Sequence, residues 1–162
     1  MPNSAFPARK SRKKEKNNPP KKFLLLGIGA SVFFVDRLLK GLILRNFQEG
    51  AGFPVVQGVF HITRVSNTGA AFGLFKNSAT ALVALSLASL VFLLIFFVRS
   101  SGLLKGAALS FVIGGAVGNL YDRWRYGYVV DFLDFRVWPV FNLADSFVCV
   151  GVFLVFLGLV KK

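Results

Sequence analysis

The chain has 162 residues, 54% of them hydrophobic and only 17% charged, with a mean hydropathy of +0.60. That length suits one domain, and a soluble domain of that size could not hide so much apolar surface. The formal net charge of +13 would suit nucleic acid, but eight of the 20 cations (Arg9, Lys10, Arg12, Lys13, Lys14, Lys16, Lys21 and Lys22) precede Phe23, where the first apolar run begins. No nucleic-acid recognition fold accompanies them, so no nucleic-acid partner is expected.

A short basic tail before a hydrophobic span is what the positive-inside rule places in the cytoplasm. Residues 1–22, rich in Lys, Asn and Pro, are expected to be a disordered cytoplasmic tail. Its cations would lie against anionic headgroups, making membrane lipids a partner. The first apolar run is too long for a signal-peptide h-region and continues into charged residues, so it reads as a retained anchor. The single Cys149 allows no intramolecular disulfide and sits in an apolar run, as a small packing residue would.

A helix needs about 20 mostly apolar residues to cross the hydrocarbon core. Four segments qualify: about 23–44, 79–98, 103–120 and 143–160. The second has no charged residue. The link between the second and third carries Arg99 and Lys105, and the chain ends in Lys161 and Lys162. With the N-terminus inside, four crossings put these cations inside too, so both termini are expected in the cytoplasm. The predicted fold class is an all-α polytopic membrane protein: a basic tail over 1–22 and a four-helix domain over 23–162.

The two segments left outside are expected to form a small extracytoplasmic β-sheet platform. Val59-Phe60-His61-Ile62-Thr63-Arg64-Val65 partly alternates apolar and polar, and Tyr128-Val129-Val130-Asp131-Phe132-Leu133-Asp134-Phe135 is rich in β-branched and aromatic residues. An open sheet edge cannot face lipid, so these strands belong at the interface or above it. Trp124, Phe135 and Trp138 fit an interfacial belt.

Charged side chains within a span cost about 2.5 to 3.5 kcal/mol each on insertion scales, and persist where they pair, line a polar cavity or do chemistry. Asp36 and Lys40 are spaced i,i+4 in the outer half of the first span and share a face. They are either a structural ion pair or part of a site, while Arg37 points elsewhere and is expected to snorkel. Asn142 is placed as an N-cap, which puts Asp145 in the first turn of the last helix, where the dipole favours a carboxylate. Asp131 interrupts an apolar run, so it either faces water on a strand or is aimed into a site. Asp122 adjoins Arg123, which is expected to hold it ionised.

Two carboxylates brought together can share one proton, because desolvation and like-charge repulsion raise one pKa. The ionised member then takes a proton from water, and the protonated one polarises a carbonyl and later protonates the leaving amine. Spacing does not say which two acids meet. His61 is the only His and lies on a predicted strand, and no phosphate-binding loop is present, so neither a metal nor a cofactor is expected. Small residues at Gly114-Gly115-Ala116-Val117-Gly118 suit close helix packing. Two rival classes are a transporter or channel subunit with Asp36, Lys40 and Asp145 along an ion path, and an assembly factor. Acids gathered toward one side of the membrane argue against the first.

Four blocks taken together resemble the signatures of lipoprotein signal peptidase (signal peptidase II): Asn67-Thr68-Gly69-Ala70-Ala71-Phe72, Gly118-Asn119-Leu120-Tyr121-Asp122-Arg123, Gly127-Tyr128-Val129-Val130-Asp131-Phe132 and Phe141-Asn142-Leu143-Ala144-Asp145. The resemblance runs from about Phe23 to the C-terminus. It implies an aspartic endopeptidase of the bacterial inner membrane, acting on diacylglyceryl-modified prolipoproteins from the outer leaflet. Nothing in the sequence demands more than a monomer. The positions matching the catalytic dyad are Asp131 and Asp145. Those matching polar support residues are Asn67, Asn119, Arg123 and Asn142, with Asp36 and Lys40 from the first block and Asp122 beside Arg123. The first block of the family usually reads Asp-Gln with Ser or Thr before the Lys, whereas this chain has Asp36-Arg37-Leu38-Leu39-Lys40.

Overall fold

The computed structural model describes residues 19–69 and 78–160. Most of the predicted basic tail, the Ala70-Ala71-Phe72 end of one family block and the terminal lysines lie outside the described residues. In chain order the elements are α1 (Pro19–Asn46), β1 (Gly52–Val56), β2 (Phe60–Asn67), α2 (Ala79–Arg99), α3 (Leu103–Tyr126), β3 (Val129–Asp134) and α4 (Leu143–Val160). The chain is thus mostly helical with one small sheet.

α1 begins four residues before the apolar run, on two prolines. Proline is tolerated there because the first-turn N–H it lacks has no intrahelical partner. α3 continues six residues past its predicted span to Tyr126. It stops at Gly127, whose left-handed backbone (φ 78°) lets its N–H bond the Arg123 carbonyl at 3.0 Å and turns the chain into β3.

The helices approach closely where α3 carries glycines. A Cβ on Gly114 would stand 2.4 Å from the Gly29 carbonyl oxygen on α1, and one on Gly115 would stand 2.5 Å from the Ala144 carbonyl oxygen on α4. Gly151 of α4 meets the Ala108 carbonyl in the same way at 2.6 Å. These pairings fix the directions. Leu25 meets Gly106, Gly29 meets Gly114 and Asp36 meets Gly118, so α1 and α3 run parallel. Ala144 meets Gly115 while Gly151 meets Ala108, so α4 runs antiparallel to them. At the start of α1, Lys22 Nζ donates to the Val98 carbonyl at 2.6 Å, which sets the end of α2 beside it.

The sheet has the order β1-β2-β3 and is antiparallel throughout. β1, a five-residue strand containing Pro54, escapes the pattern reading because every residue in it is exposed. Val65 of β2 stands opposite Asp131 and Asn67 opposite Val129. After β3 the chain doubles back, and Phe141 exchanges backbone hydrogen bonds with Leu133 at 2.7 and 3.1 Å. That return delivers Asn142 to the side of Asp131. Ile43, Val130 and Phe132 pack into a small apolar core between the end of α1 and the sheet.

Burial is inverted relative to a protein in water. Lys40, Asp36, Asp122 and Asn142 are 0% exposed and Asp131 is 1% exposed, whereas Leu38, Phe92, Val98, Phe153 and Phe156 are each 58% or more exposed. An apolar surface of that extent suits lipid. Among the described residues, Thr80–Arg99 and Leu103–Tyr126 are long and apolar enough to cross a membrane by length and composition.

Candidate active site

Buried Asp36, Lys40, Asn119, Asp122, Asp131 and Asn142 gather at the end of the bundle that carries the sheet. β3 holds Asp131, α4 begins with Asp145 in its first turn, and α1 and α3 bring Asp36, Lys40, Asn119 and Asp122. Asn142 and Asp145 cap one another, as the Asn-x-x-Asp spacing predicts. The Asp145 N–H donates to Asn142 Oδ1 at 2.9 Å, and the Asn142 N–H donates to Asp145 Oδ2 at 3.3 Å.

Asp131 is aimed inward, which decides between the two readings its sequence position allowed. Each of its oxygens accepts one amide hydrogen: Oδ2 from Asn67 Nδ2 at 2.8 Å, Oδ1 from Asn142 Nδ2 at 2.6 Å. Asp145 is held the same way, with Oδ1 accepting from Asn119 Nδ2 at 2.7 Å. The three asparagines are themselves oriented. Asn67 Oδ1 accepts from the Gly69 N–H at 3.0 Å, and Asn119 Oδ1 accepts from Lys40 Nζ at 2.9 Å and from Asn142 Nδ2 at 3.2 Å. Each amide therefore has one consistent orientation, with its NH2 toward a carboxylate.

Burial, followed by the neighbouring Asp145 carboxylate, pushes the Asp131 carboxyl up to about 7, against the opposing pull of the Asn67 and Asn142 amides and of Lys40. The two carboxylates thus sense each other's charge. A pair so placed can keep one proton near neutral pH, which gives one group that accepts a proton and one that donates it.

Asp36 serves two neighbours. Its Oδ1 accepts from the Ala144 N–H at 3.0 Å, capping α4 from α1, and its Oδ2 pairs with Lys40 at 2.8 Å. Two expectations are corrected here. Arg37 does not snorkel: its guanidinium turns inward to bond Asp122, under the ring of Tyr121 at 4.7 Å. Asp122 is paired by Arg37 and by Lys40 at 2.9 Å rather than by Arg123. Arg123 reaches the Gly69 carbonyl at 3.4 Å, and its buried Nε has no hydrogen-bond partner among the described residues. Arg37 is the residue that sequence reasoning left out. The charge count on α1 held a clue: Asp36 can balance only one of Arg37 and Lys40, so burying both requires an acid from another helix.

The fold matches solved structures described as bacterial membrane enzymes. One, obtained by the in meso method at 2.3 Å resolution, superposes with a TM-score of 0.81 at 32% identity, covering 86% of this chain and 88% of that one. A second, at 1.9 Å resolution, gives a TM-score of 0.79 at 32% identity, covering 86% and 94%. The sequence model described as signal peptidase (SPase) II matches residues 28–161, and this chain belongs to that peptidase family. It is similar to the lipoprotein signal peptidase of Halothermothrix orenii, with 43% identity over 130 residues covering 79% of this chain and 89% of the relative. It is also similar to that of Moorella thermoacetica, at 44% identity with 82% and 88% covered.

Proposed function

We propose that the chain is a membrane-embedded aspartic endopeptidase that removes the signal peptide from prolipoproteins, cleaving before the diacylglyceryl-modified cysteine, with Asp131 and Asp145 as its catalytic dyad. The observation that carries this reading is the carboxylate pair, Asp131 buried and Asp145 half-buried. Its four oxygens each accept a hydrogen bond from Asn67, Asn119 or Asn142, and Asp131 titrates near neutrality.

In this reading the ionised carboxylate takes a proton from water as the water oxygen attacks the scissile carbonyl carbon. The protonated carboxyl hydrogen-bonds the carbonyl oxygen and stabilises the charge growing there. Collapse of the tetrahedral species breaks the C–N bond, and the amine leaves with a proton from the dyad. No metal or cofactor takes part. Asn67, Asn119 and Asn142 hold the two acids, Lys40 orients Asn119, and Asp36 and Asp122 complete the support. Arg123, with an unpartnered Nε, is suited to receive a substrate carbonyl.

Membrane geometry supports the same substrate. A lipid-modified cysteine keeps its acyl chains in the bilayer, so its peptide bond lies near the interface, and the dyad sits at one end of the helices rather than midway along them. Lys22, Arg99 and Lys105 lie toward the opposite end. The positive-inside rule then puts that end in the cytoplasm and the dyad at the outer leaflet of the bacterial inner membrane, with α1 to α4 as four spans and both termini inside. The enzyme acts as a monomer in this reading.

The test is cleavage of a lipidated precursor by Asp131→Asn and Asp145→Asn enzymes, followed by a gel shift in the presence of EDTA. Both variants are expected to insert normally and leave the precursor uncut, while wild-type cleavage survives the chelator. Full activity in either variant sinks the dyad, and loss of wild-type cleavage in EDTA points to a metal.

A further inference from the structure

Lys40 is shared among three acceptors. Its Nζ forms ion pairs with Asp36 Oδ2 at 2.8 Å and Asp122 Oδ2 at 2.9 Å, and donates a hydrogen bond to Asn119 Oδ1 at 2.9 Å. Asp122 Oδ2 also accepts the Val130 N–H at 3.2 Å, which ties α3 to the residue beside Asp131. Asp122 Oδ1 is left for Arg37. The Arg37 side chain is 15% exposed, and its guanidinium lies 4.7 Å from the Tyr121 ring centre and 6.0 Å from that of Tyr126. Asp36, Asp122, Lys40 and Arg37 together sum to zero charge. Without Arg37 the sum is −1 at a site where three of the four side chains are fully buried, and the single charge of Lys40 is already divided between Asp36 and Asp122. An uncompensated buried charge is costly and acts over a long range in low dielectric.

We propose that Arg37 is a positioning residue for the reaction: it holds Asp122 charged and bonded to the Val130 N–H, and so keeps a neutral ion cluster and a fixed β3 beside the dyad. This rests on the dyad reading above. The charged groups around Asp131 are few among the described residues. α1 offers Asp36, Arg37 and Lys40, α3 offers Asp122 and Arg123, and α4 offers Asp145. On β2, His61 stands opposite Asp134, and Arg64 bonds the Phe47 carbonyl and lies near Glu49. On β3 itself, Asp134 is engaged by Thr63 and Arg136.

The readout is kcat/KM against pH for cleavage of a lipidated precursor in detergent micelles. Arg37→Gln adds one net negative charge beside the dyad, which disfavours ionisation of both carboxyls. Both limbs of the profile move to higher pH, by on the order of half a unit. Gln keeps a polar side chain of similar reach, so the variant is expected to fold. Arg37→Lys keeps the charge and leaves the limbs in place. Arg37→Gln combined with Asp122→Asn restores a neutral sum and returns the limbs to the wild-type position.

Superimposable profiles for wild type and Arg37→Gln overturn the proposal, as does a double variant whose limbs stay displaced. Should Arg37→Gln fail to accumulate, recovery in the double variant supports charge balance, and failure of both overturns it. Cleavage by Asp131→Asn or Asp145→Asn overturns the dyad itself, and because separate variants read it, the two failures are distinguishable.

Discussion

The Asn142 side chain donates to Asp131 Oδ1 at 2.6 Å while its own Oδ1 accepts the Asp145 N–H at 2.9 Å. One residue thus caps the helix that carries one acid and grips the other. The two duties separate by substitution. Asn142→Ser keeps a capping oxygen but loses the donor to Asp131, whereas Asn142→Ala loses both. Both variants are expected to lose roughly 10- to 100-fold in kcat/KM, the worth of a hydrogen bond to a charged group. Only Asn142→Ala should also lose about 1 kcal/mol of stability, the usual cost of a missing cap. Cleavage rates and thermal unfolding in detergent check this, and equal stability in the two variants would contradict the capping role.

Asp131 makes the pH dependence of stability predictable in sign. Its folded-state value of about 7 lies above the ordinary 3.8. A raised value means that the folded state binds this proton more tightly than the unfolded state does. The contribution is therefore intact at low pH and is lost as pH rises from about 4 through 7. The loss is on the order of 4 kcal/mol. Wild-type unfolding temperature in detergent is expected to fall between pH 5 and pH 8, and Asp131→Asn is expected to flatten that fall. In the same window kcat/KM should decline above about pH 7, as the shared proton is lost. A fall in stability that is equally steep in Asp131→Asn would show that other groups carry it.

Local spacing made part of the site legible. Asp36 and Lys40 are one helical turn apart and do pair, and the Asn-x-x-Asp spacing at Asn142 and Asp145 marks a helix start that forms as read. Contacts between elements were not legible. Lys40 and Asn119 are 79 positions apart, and Arg37 and Asp122 are 85 apart. Periodicity gives the angle at which a side chain leaves its helix but not what stands opposite, so Arg37 read as lipid-facing. Hydropathy likewise reports where lipid ends rather than where a helix ends, which is why α3 ran past its predicted span to Tyr126. The Asn142 bond to Asp131 depends on the return of the chain through Phe141, which no pattern of period two encodes.

Lys40 is 0% exposed between two carboxylates that are also 0% exposed. Replacing it with Met leaves those acids without their shared partner. The expected cost is about 3 to 5 kcal/mol, the range for breaking a buried ion pair from one side. The Asn119 amide also loses the donor that orients it, so any folded protein should cleave slowly. Adding Asp36→Asn removes one of the stranded charges and should recover part of the stability without restoring full cleavage. Folded yield and unfolding temperature measure the first effect, and kcat measures the second. A double variant no more stable than Lys40→Met would argue that Lys40 contributes packing rather than charge.

The glycines of α3 set the distance between Asp145 and the Asn119 that holds it, because α4 carries Asp145 and is seated on them. At Gly115 an added Cβ would lie 2.5 Å from the Ala144 carbonyl oxygen, a backbone atom one residue from Asp145. Backbone cannot rotate away as a side chain can, so Gly115→Ala must push the helices apart. Asp145 then moves relative to Asn119 on α3, which breaks a 2.7 Å hydrogen bond. The expected result is a loss of about 1 to 3 kcal/mol, the usual cost of overpacking, together with a drop in kcat larger than that at a glycine away from the interface. Gly41→Ala is the control: it lies on α1, one residue from Lys40, with nothing within 4 Å of the added methyl. It should leave both stability and cleavage near wild type. Equal behaviour of the two alanine variants would mean that close approach at Gly115 does not position Asp145.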